Sequence, residues 1–372
     1  MKRFLAVVSV TIIFQFVVND LLYAQLTYLP SGGNKRASVS EQIGLADVII
    51  SYSRPHVNHR EGHIWGELIP VGFTDQGFGS SKAAPWRAGA NENTTIEFST
   101  DVEVEGQHLA AGKYGFFIAY DPAACTLIFS RNATSWGSFF YNPSEDVLRV
   151  KVKPVSTDKS VEWLKYEFAD QTPNSAVVEL QWEKLMIPFK ITVDVVRNQI
   201  ASFRKELRSE KGFNWESWDQ AASYCARNNT NLDEALLWSD TATSVGFGGS
   251  QSFQAWRTKS ALLDSLGRGA ESAAILKKAE PFADINELDE YGRELTRSQH
   301  GKEALEIFKF NYDKHPNVFI TNVGMARGYS AVGDYKNALA FARKARAQVS
   351  DQDNINTLDK MIATLQARKA AN

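Results

Sequence analysis

Apolar side chains recur at every second position through the first half of the chain. From Ala176 to Trp182, the residues Ala176, Val178, Leu180 and Trp182 alternate with Val177, Glu179 and Gln181. From Val147 to Lys153, Leu148, Val150 and Val152 alternate with Arg149, Lys151 and Lys153. Shorter runs repeat the theme at Ile96/Phe98, Phe116/Ile118/Tyr120, Leu127/Phe129, Leu164/Tyr166/Phe168 and Ile191/Val193/Val195. A strand turns successive side chains to opposite faces, so each run predicts a strand with one face on a core and the other in water. Glu105-Gly106, Asp121-Pro122 and Asn142-Pro143 supply turns between them. About eight to ten short strands with no helix between them predict an antiparallel β-sandwich or barrel-like domain.

The period changes near Ile200. Ile200, Phe203 and Leu207 share one helical face, and Ala and Leu become frequent. Nine of the eleven prolines lie before residue 190, leaving only Pro281 and Pro316 after it. The run Gly301-Lys302-Glu303-Ala304-Leu305 is matched by Gly333-Asp334-Tyr335-Lys336-Asn337-Ala338-Leu339, with Ala304 and Ala338 34 residues apart. Asn231 to Leu236 and Arg268 to Ala273 are weaker copies. A helix-turn-helix unit of this length resembles the tetratricopeptide repeat. Small residues at Gly292, Ala304, Ala326 and Ala338 let paired helices approach closely, Tyr329 fills the next layer, and Pro316 ends its repeat. Ile355, Leu358, Ile362 and Leu365 predict an amphipathic helix capping the stack. The expected fold class is thus multidomain β + α, a β-sandwich followed by a tetratricopeptide-like array. Such an array exposes a concave surface suited to a protein or peptide partner; the plainer reading is a scaffold that buttresses the β-domain.

The first residues read differently. Met1-Lys2-Arg3 and the apolar stretch Phe4 to Val18, followed by Leu22-Tyr23-Ala24, have the form of a secretory signal peptide cleaved near Ala24, against a short membrane anchor as the alternative. The expected organisation is a signal peptide at 1–24, a linker at 25–36, the β-domain at 37–196 and the helical array at 200–372. The full chain of 372 residues carries a net charge of −2, and removing Lys2, Arg3 and Asp20 with the leader leaves −3. That balance gives no support to nucleic acid as a partner. No stretch after the leader reaches the ~18 apolar residues of a membrane span, so no integral membrane segment is expected. The expected location is the periplasm or the exterior. Two cysteines, Cys125 and Cys225, fall in different predicted domains and read as buried apolar residues rather than a bridge.

Candidate chemistry concentrates in the β-half. Ser51-Tyr52-Ser53-Arg54-Pro55 ends a strand, and Pro85-Trp86-Arg87-Ala88-Gly89-Ala90-Asn91-Glu92 leads into another. Arginine beside tryptophan and small residues is expected to be part-buried, and a buried guanidinium needs a carboxylate or carbonyl partner. Glu92 is the nearest carboxylate to Arg87 in sequence. The two readings are a structural ion pair, or a pocket in which Arg54, Arg87, Asn91 and Glu92 grip an anionic or polyhydroxyl ligand. Glu92 is also the candidate catalytic acid or base. His56, His59 and His63, with Glu61 and Glu67, have spacings compatible with a metal, but Gly62 and Pro55 place them on a loop, so no metal is expected there. The segment Phe73 to Ser81 is either a flap over a pocket or a solvated loop. No nucleophile elbow, phosphate loop, zinc-protease motif or dinucleotide fingerprint occurs, and no cofactor is expected.

These segments resemble a bacterial family known as domain of unknown function 2911. The resemblance is carried by Ser51 to Pro55, Ile64-Trp65-Gly66-Glu67-Leu68-Ile69-Pro70, Trp86-Arg87, Gly89-Ala90-Asn91-Glu92, Ile96-Glu97-Phe98-Ser99, Ala111 to Gly115, Trp136-Gly137 and Asp146 to Val150, over about residues 37–195. It implies a secreted protein of the Bacteroidota type and no particular activity. Arg54, Arg60, Arg87, Asn91, Glu92 and Lys113 fall on the family's polar motif positions, whereas the three histidines do not, and the Pro70–Trp86 stretch is longer than usual. The expected function is an exported envelope or periplasmic binding or assembly protein, its β-domain holding a small polar ligand or glycan and its array a protein or peptide. The alternative is a secreted hydrolase-type enzyme using Glu92 with Arg54 and Arg87.

Overall fold

A computed structural model of the protein describes residues 33–371, so the expected signal peptide lies outside the described residues. The chain divides into two compact units, one ending at Val195 and the other beginning at Val196. In the first, the described residues form ten antiparallel strands: β1 (Lys35–Ile43), β2 (Ala46–Arg54), β3 (Thr94–Phe98), β4 (Val102–Val104), β5 (Gln107–Leu109), β6 (Gly112–Ala119), β7 (Cys125–Ser130), β8 (Asp146–Val152), β9 (Val155–Thr172) and β10 (Ser175–Thr192). They make a six-stranded sheet in the order β1-β2-β3-β6-β7-β8 and a four-stranded sheet in the order β5-β4-β10-β9. One core draws on both. Val48, Ile50, Ile96, Phe116 and Phe129 come from the first sheet, and Leu164, Tyr166, Val178, Leu180 and Phe189 from the second. Each such side chain contributes roughly 1.5–3 kcal/mol on burial, which is what joins the sheets.

The strands follow the alternating pattern, with one departure. Strands β9 and β10 each run for 18 residues rather than being short. Along β10 the buried side chains sit at even positions from Ala176 to Trp182, then at odd positions from Glu183 through Ile187, Phe189 and Ile191. The switch is a β-bulge: the register against β9 shifts on either side of Glu183, whose φ is +52°. The run ending at Trp182 and the residues from Glu183 to Ile191 are therefore two halves of one bent strand, which stops at Thr192; Val193 lies beyond it, and Val195, expected on the same strand, begins a helix.

From this boundary on, the described residues form α1 (Val195–Glu206), whose first residue closes the first unit, and α2 (Trp215–Arg227), α3 (Leu232–Ala242), α4 (Phe253–Ser265), α5 (Gly269–Ala279), α6 (Ile285–Arg297), α7 (Gly301–Lys314), α8 (Phe319–Ala331), α9 (Tyr335–Arg346) and α10 (Gln352–Ala371). Successive helices pack as antiparallel pairs, α2 on α3, α4 on α5, α6 on α7 and α8 on α9. Close approach depends on missing side chains. Phe308 of α7 is 1% exposed and lies against Gly292 of α6, where a Cβ would come within 2.5 Å of the ring. Ala304, Ala326 and Ala338 are fully buried, and Tyr329 stacks on Phe341 at 5.7 Å between centroids. The motif Asp284-Ile285-Asn286-Glu287 starts α6 with a capping box, each side chain bonding the other residue's backbone N–H. Leu358 and Leu365 bury the apolar face of α10. Both cysteines are free and buried, and burial raises both thiol pKa values.

Candidate functional site

The connection from β2 to β3, residues 55–93, contains no regular strand, yet its backbone is pinned at several points. Trp86 exchanges two hydrogen bonds with Ile118 of β6, its N–H donating at 2.9 Å and its carbonyl accepting at 2.8 Å. Thr74 and Ala84 pair in the same way, and Ser81 N–H donates to Phe139 O at 3.0 Å. The Phe73–Ser81 segment is therefore fastened at both ends to neighbouring structure. At the far side, the Glu183 carboxylate in the β10 bulge accepts Gly62 N–H at 2.7 Å, tying the loop to the strand that carries Trp182.

A sharp turn follows Trp86. Ala88 and Asn91 take positive φ values of +51° and +58°. The Ala88 carbonyl accepts both Thr94 Oγ1 at 2.9 Å and the buried Tyr166 hydroxyl at 2.8 Å, which holds this turn against the core. The turn brings Asn91 O to 2.9 Å from an Arg87 terminal nitrogen, which donates to it. The guanidinium then lies over the Phe139 ring, 5.0 Å from its centroid. Gly137 supports it from beneath: at φ +67° this residue has no side chain, and a Cβ there would be 2.5 Å from the Arg87 nitrogen. Burial pushes the Arg87 pKa down from its ordinary value, although a guanidinium stays charged at any physiological pH.

Arg87 faces a cavity of about 530 Å³, within the ~300–1,000 Å³ of ordinary small-molecule sites. Its aromatic walls are Trp86, Trp136, Phe139 and Trp182, and its polar ones include Arg60, Asn34, Asn91, Thr74 and Gln76. Trp86 and Trp182 stack with centroids 6.2 Å apart. No Asp or Glu occurs among its described lining residues.

The structure divides the six polar residues marked in the sequence. Arg60, Arg87 and Asn91 line the large cavity. Glu92 and Lys113 line a separate cleft of about 200 Å³ with Arg36, Ser51 and Ser53. Arg54 lines neither, and its Nε donates to Leu164 O at 2.8 Å. Arg87 and Glu92, the ion-pair candidates in sequence, form none: Arg87 donates to the Asn91 carbonyl, and exposed Glu92 receives a long 3.5 Å contact from the Ser53 hydroxyl. The two side chains line different cavities on either side of the left-handed residue Asn91. Lys113 pairs at 3.8 Å with Glu97 across the strands. Glu92, Arg54 and Arg87 are thus not assembled in one cavity.

The histidines do not converge either. His56 stacks on Trp163 and sits 3.7 Å from Glu162, His63 pairs with Glu67 at 3.0 Å, and His59 occupies a turn at φ +60°. Among the described residues, no group of three or more His, Cys, Asp or Glu is placed to hold a metal ion.

Trp136, Trp182, Phe139 and Gln76 were not singled out as site residues by the sequence. Trp182 carries the signature of a core strand position, and nothing in its spacing shows that it borders a cavity. Trp136-Gly137 offered the better signal, because an aromatic residue followed by glycine in a polar loop is poorly explained by core packing alone.

In the helical unit, a groove of about 380 Å³ is lined by Ser223 and Arg227 of α2, Gln254 and Arg257 of α4, and Tyr291 and Glu294 of α6. Arg257 pairs with Glu294 and lies 5.7 Å from the Tyr291 ring centroid.

Residues 34–191 match the family described as a protein of unknown function, DUF2911. No curated protein matches the chain. Among solved structures, the chain is similar to YrrB, described as a TPR protein with an unusual peptide-binding site. The identity is 16% over 42% of this chain and 97% of that one, with a TM-score of 0.19. It is also similar to a tetratricopeptide repeat protein from Parabacteroides merdae ATCC 43184, at 16% identity over 47% of this chain and 82% of that one, with a TM-score of 0.21. The chain carries a DUF2911 match over residues 34–191, followed by a helical region distantly like tetratricopeptide repeats.

Proposed function

We propose that this is an exported binding or assembly protein of the cell envelope, whose β-domain holds a small polar ligand or glycan and whose helical array docks a protein partner. The observation that carries the reading is the aromatic cavity of about 530 Å³, with two arginines and no acidic residue among its described lining. Aromatic walls with a few placed polar groups are the usual make-up of a small-ligand site. The groove across α2, α4 and α6 supports the second half, since stacked helical pairs present extended surfaces to partners. The hydrolase reading has no such support, because Glu92 and Arg87 line different cavities.

Native mass spectrometry of the protein purified from its own envelope fraction tests the proposal. A bound small molecule is expected, and Trp136→Ala should release it. An adduct-free protein in which Trp136→Ala changes nothing refutes ligand holding. N-terminal sequencing of the same sample should begin at Gln25, and an intact Met1 on the envelope-associated protein refutes cleavage near Ala24.

A further inference from the structure

We propose that the large cavity is a subsite for an acidic saccharide: Arg87 anchors the carboxylate of a sugar ring that lies against Trp136. This rests on the ligand-holding reading above and narrows it to one chemical class.

The first support is charge. Two guanidinium groups line the cavity with no acidic residue among its described lining. Arg60 is committed to the backbone, Nε donating to Val57 O at 2.9 Å and a terminal nitrogen to His56 O at 2.7 Å. Arg87 is not. It donates to Asn91 O alone, and no carboxylate lies within 4 Å among the described residues. A guanidinium carries five N–H donors in a planar fork that matches a carboxylate in two parallel bonds. A part-buried cation without a counter-ion is unfavourable, and an anion entering the cavity removes that penalty.

A second support is the aromatic lining. Trp86, Trp136, Phe139 and Trp182 border the cavity, with Trp86 and Trp182 stacked at 6.2 Å between centroids. Such faces take the C–H side of a sugar ring while the polar groups beside them orient it.

The third support decides between a sugar and a bare acid. Trp136 is 57% exposed, a large flat side chain at the cavity's edge. Three amides line the same cavity, Asn34, Gln76 and Asn91. Gln76 donates to Ser138 Oγ and Asn34 to Asn91 Oδ1, which leaves the Gln76 carbonyl and the Asn91 amide N–H groups without other partners among the described residues. Amides offer both donors and acceptors, as a rim of hydroxyls requires. An aliphatic or aromatic acid would match the tryptophan and the arginine but leave these amides unsatisfied.

Titration calorimetry of the full protein tests this with trigalacturonic acid and its methyl ester, with 3′-sialyllactose and lactose, and with propionate as a carboxylate lacking a sugar. At least one acidic saccharide is expected to bind about tenfold or more tightly than its neutral counterpart, a difference of ~1.4 kcal/mol or more. Added salt should weaken only the acidic form. Arg87→Gln should abolish the preference for the acid, Arg87→Lys should retain part of it, and Trp136→Ala should weaken acid and ester alike. Equal binding of acid and ester overturns the inference while leaving a glycan site intact. Propionate binding as tightly as the saccharides overturns it in favour of a bare acid. Absence of binding by every saccharide overturns it as well, and if native mass spectrometry also finds no adduct, the ligand-holding reading falls with it. Should Arg87→Gln fail to fold, the esterification and salt comparisons on the unaltered protein still decide.

Discussion

Gly137→Ala should disturb the site in two separable ways. At φ +67° an alanine meets the left-handed penalty, worth about 1–2 kcal/mol. The new Cβ also falls 2.5 Å from an Arg87 terminal nitrogen and 2.6 Å from its Cζ, with the ring of Phe139 on the guanidinium as well. Overpacking of this kind costs about 1–3 kcal/mol, so the total should be roughly 2–5 kcal/mol. Arg87→Ala removes the obstructing group, and in that background Gly137→Ala should cost only the backbone share. The coupling across the cycle is thus expected at ~1–3 kcal/mol. Scanning calorimetry of the full chain measures it, the β-domain transition being the one at which the far-UV helix signal does not fall. In a unit of this size each kcal/mol moves the midpoint by about 2–4 °C. An equal cost in both backgrounds refutes the view that Gly137 exists to let the guanidinium lie flat at the cavity wall.

Phe308→Ala should destabilise the array by about 3–5 kcal/mol, read as a drop of roughly 6–20 °C in the helix melting transition; a change under ~1 kcal/mol would contradict its enclosure by Gly292, Gly324 and Gly328. Tyr166→Phe should cost only ~0.5–1.5 kcal/mol by denaturant midpoint, because Thr94 Oγ1 still serves Ala88 O. Adding Thr94→Val strips the second donor, and the pair should exceed the sum of the single losses; simple additivity would show that the carbonyl finds another donor. Asp219 is 7% exposed, and burial raises its pKa above the ordinary 3.8, offset in part by hydrogen bonds from Thr258 and Gln254. An acid raised on folding binds its proton more tightly in the native state, so its contribution is full below 3.8 and is lost as pH rises through the folded value. Asp219→Asn should flatten that decline in helix melting temperature across the mildly acidic range, and an unchanged slope would exclude Asp219 as its source.

What the sequence disclosed follows from how local each signal is. The strand runs at Leu148–Val152 and Ala176–Trp182 were visible because alternation is a property of consecutive residues. The array was visible because Ala304 and Ala338 must be small wherever two helices touch, which imprints a fixed spacing. Arg87 and Asn91 were marked together in the sequence and line one cavity, yet the partner expected for Arg87 was Glu92 rather than the Asn91 carbonyl. That error has a definite source: the positive φ at Ala88 and Asn91 belongs to two residue types that do not announce it as glycine would. The remaining walls were out of reach for another reason. Trp136 and Trp182 meet Arg87 only through the folding of two distant loops against β10, and no short-range pattern encodes such a meeting.

The bulge at Glu183 governs which changes of length the cavity can absorb. Because the inward-facing parity reverses there, losing that one residue would turn Ile187, Phe189 and Ile191 out of the core or send Trp182 out of the wall. An insertion within 77–80, by contrast, lengthens a loop already anchored on both sides by Thr74–Ala84 pairing and leaves both sheets in register. Homologous chains should therefore vary in length along one margin of the cavity while holding a constant count of residues between Ser175 and Thr192. The chemistry of the rim is free to diverge by insertion, whereas the tryptophan-bearing wall is open only to substitution.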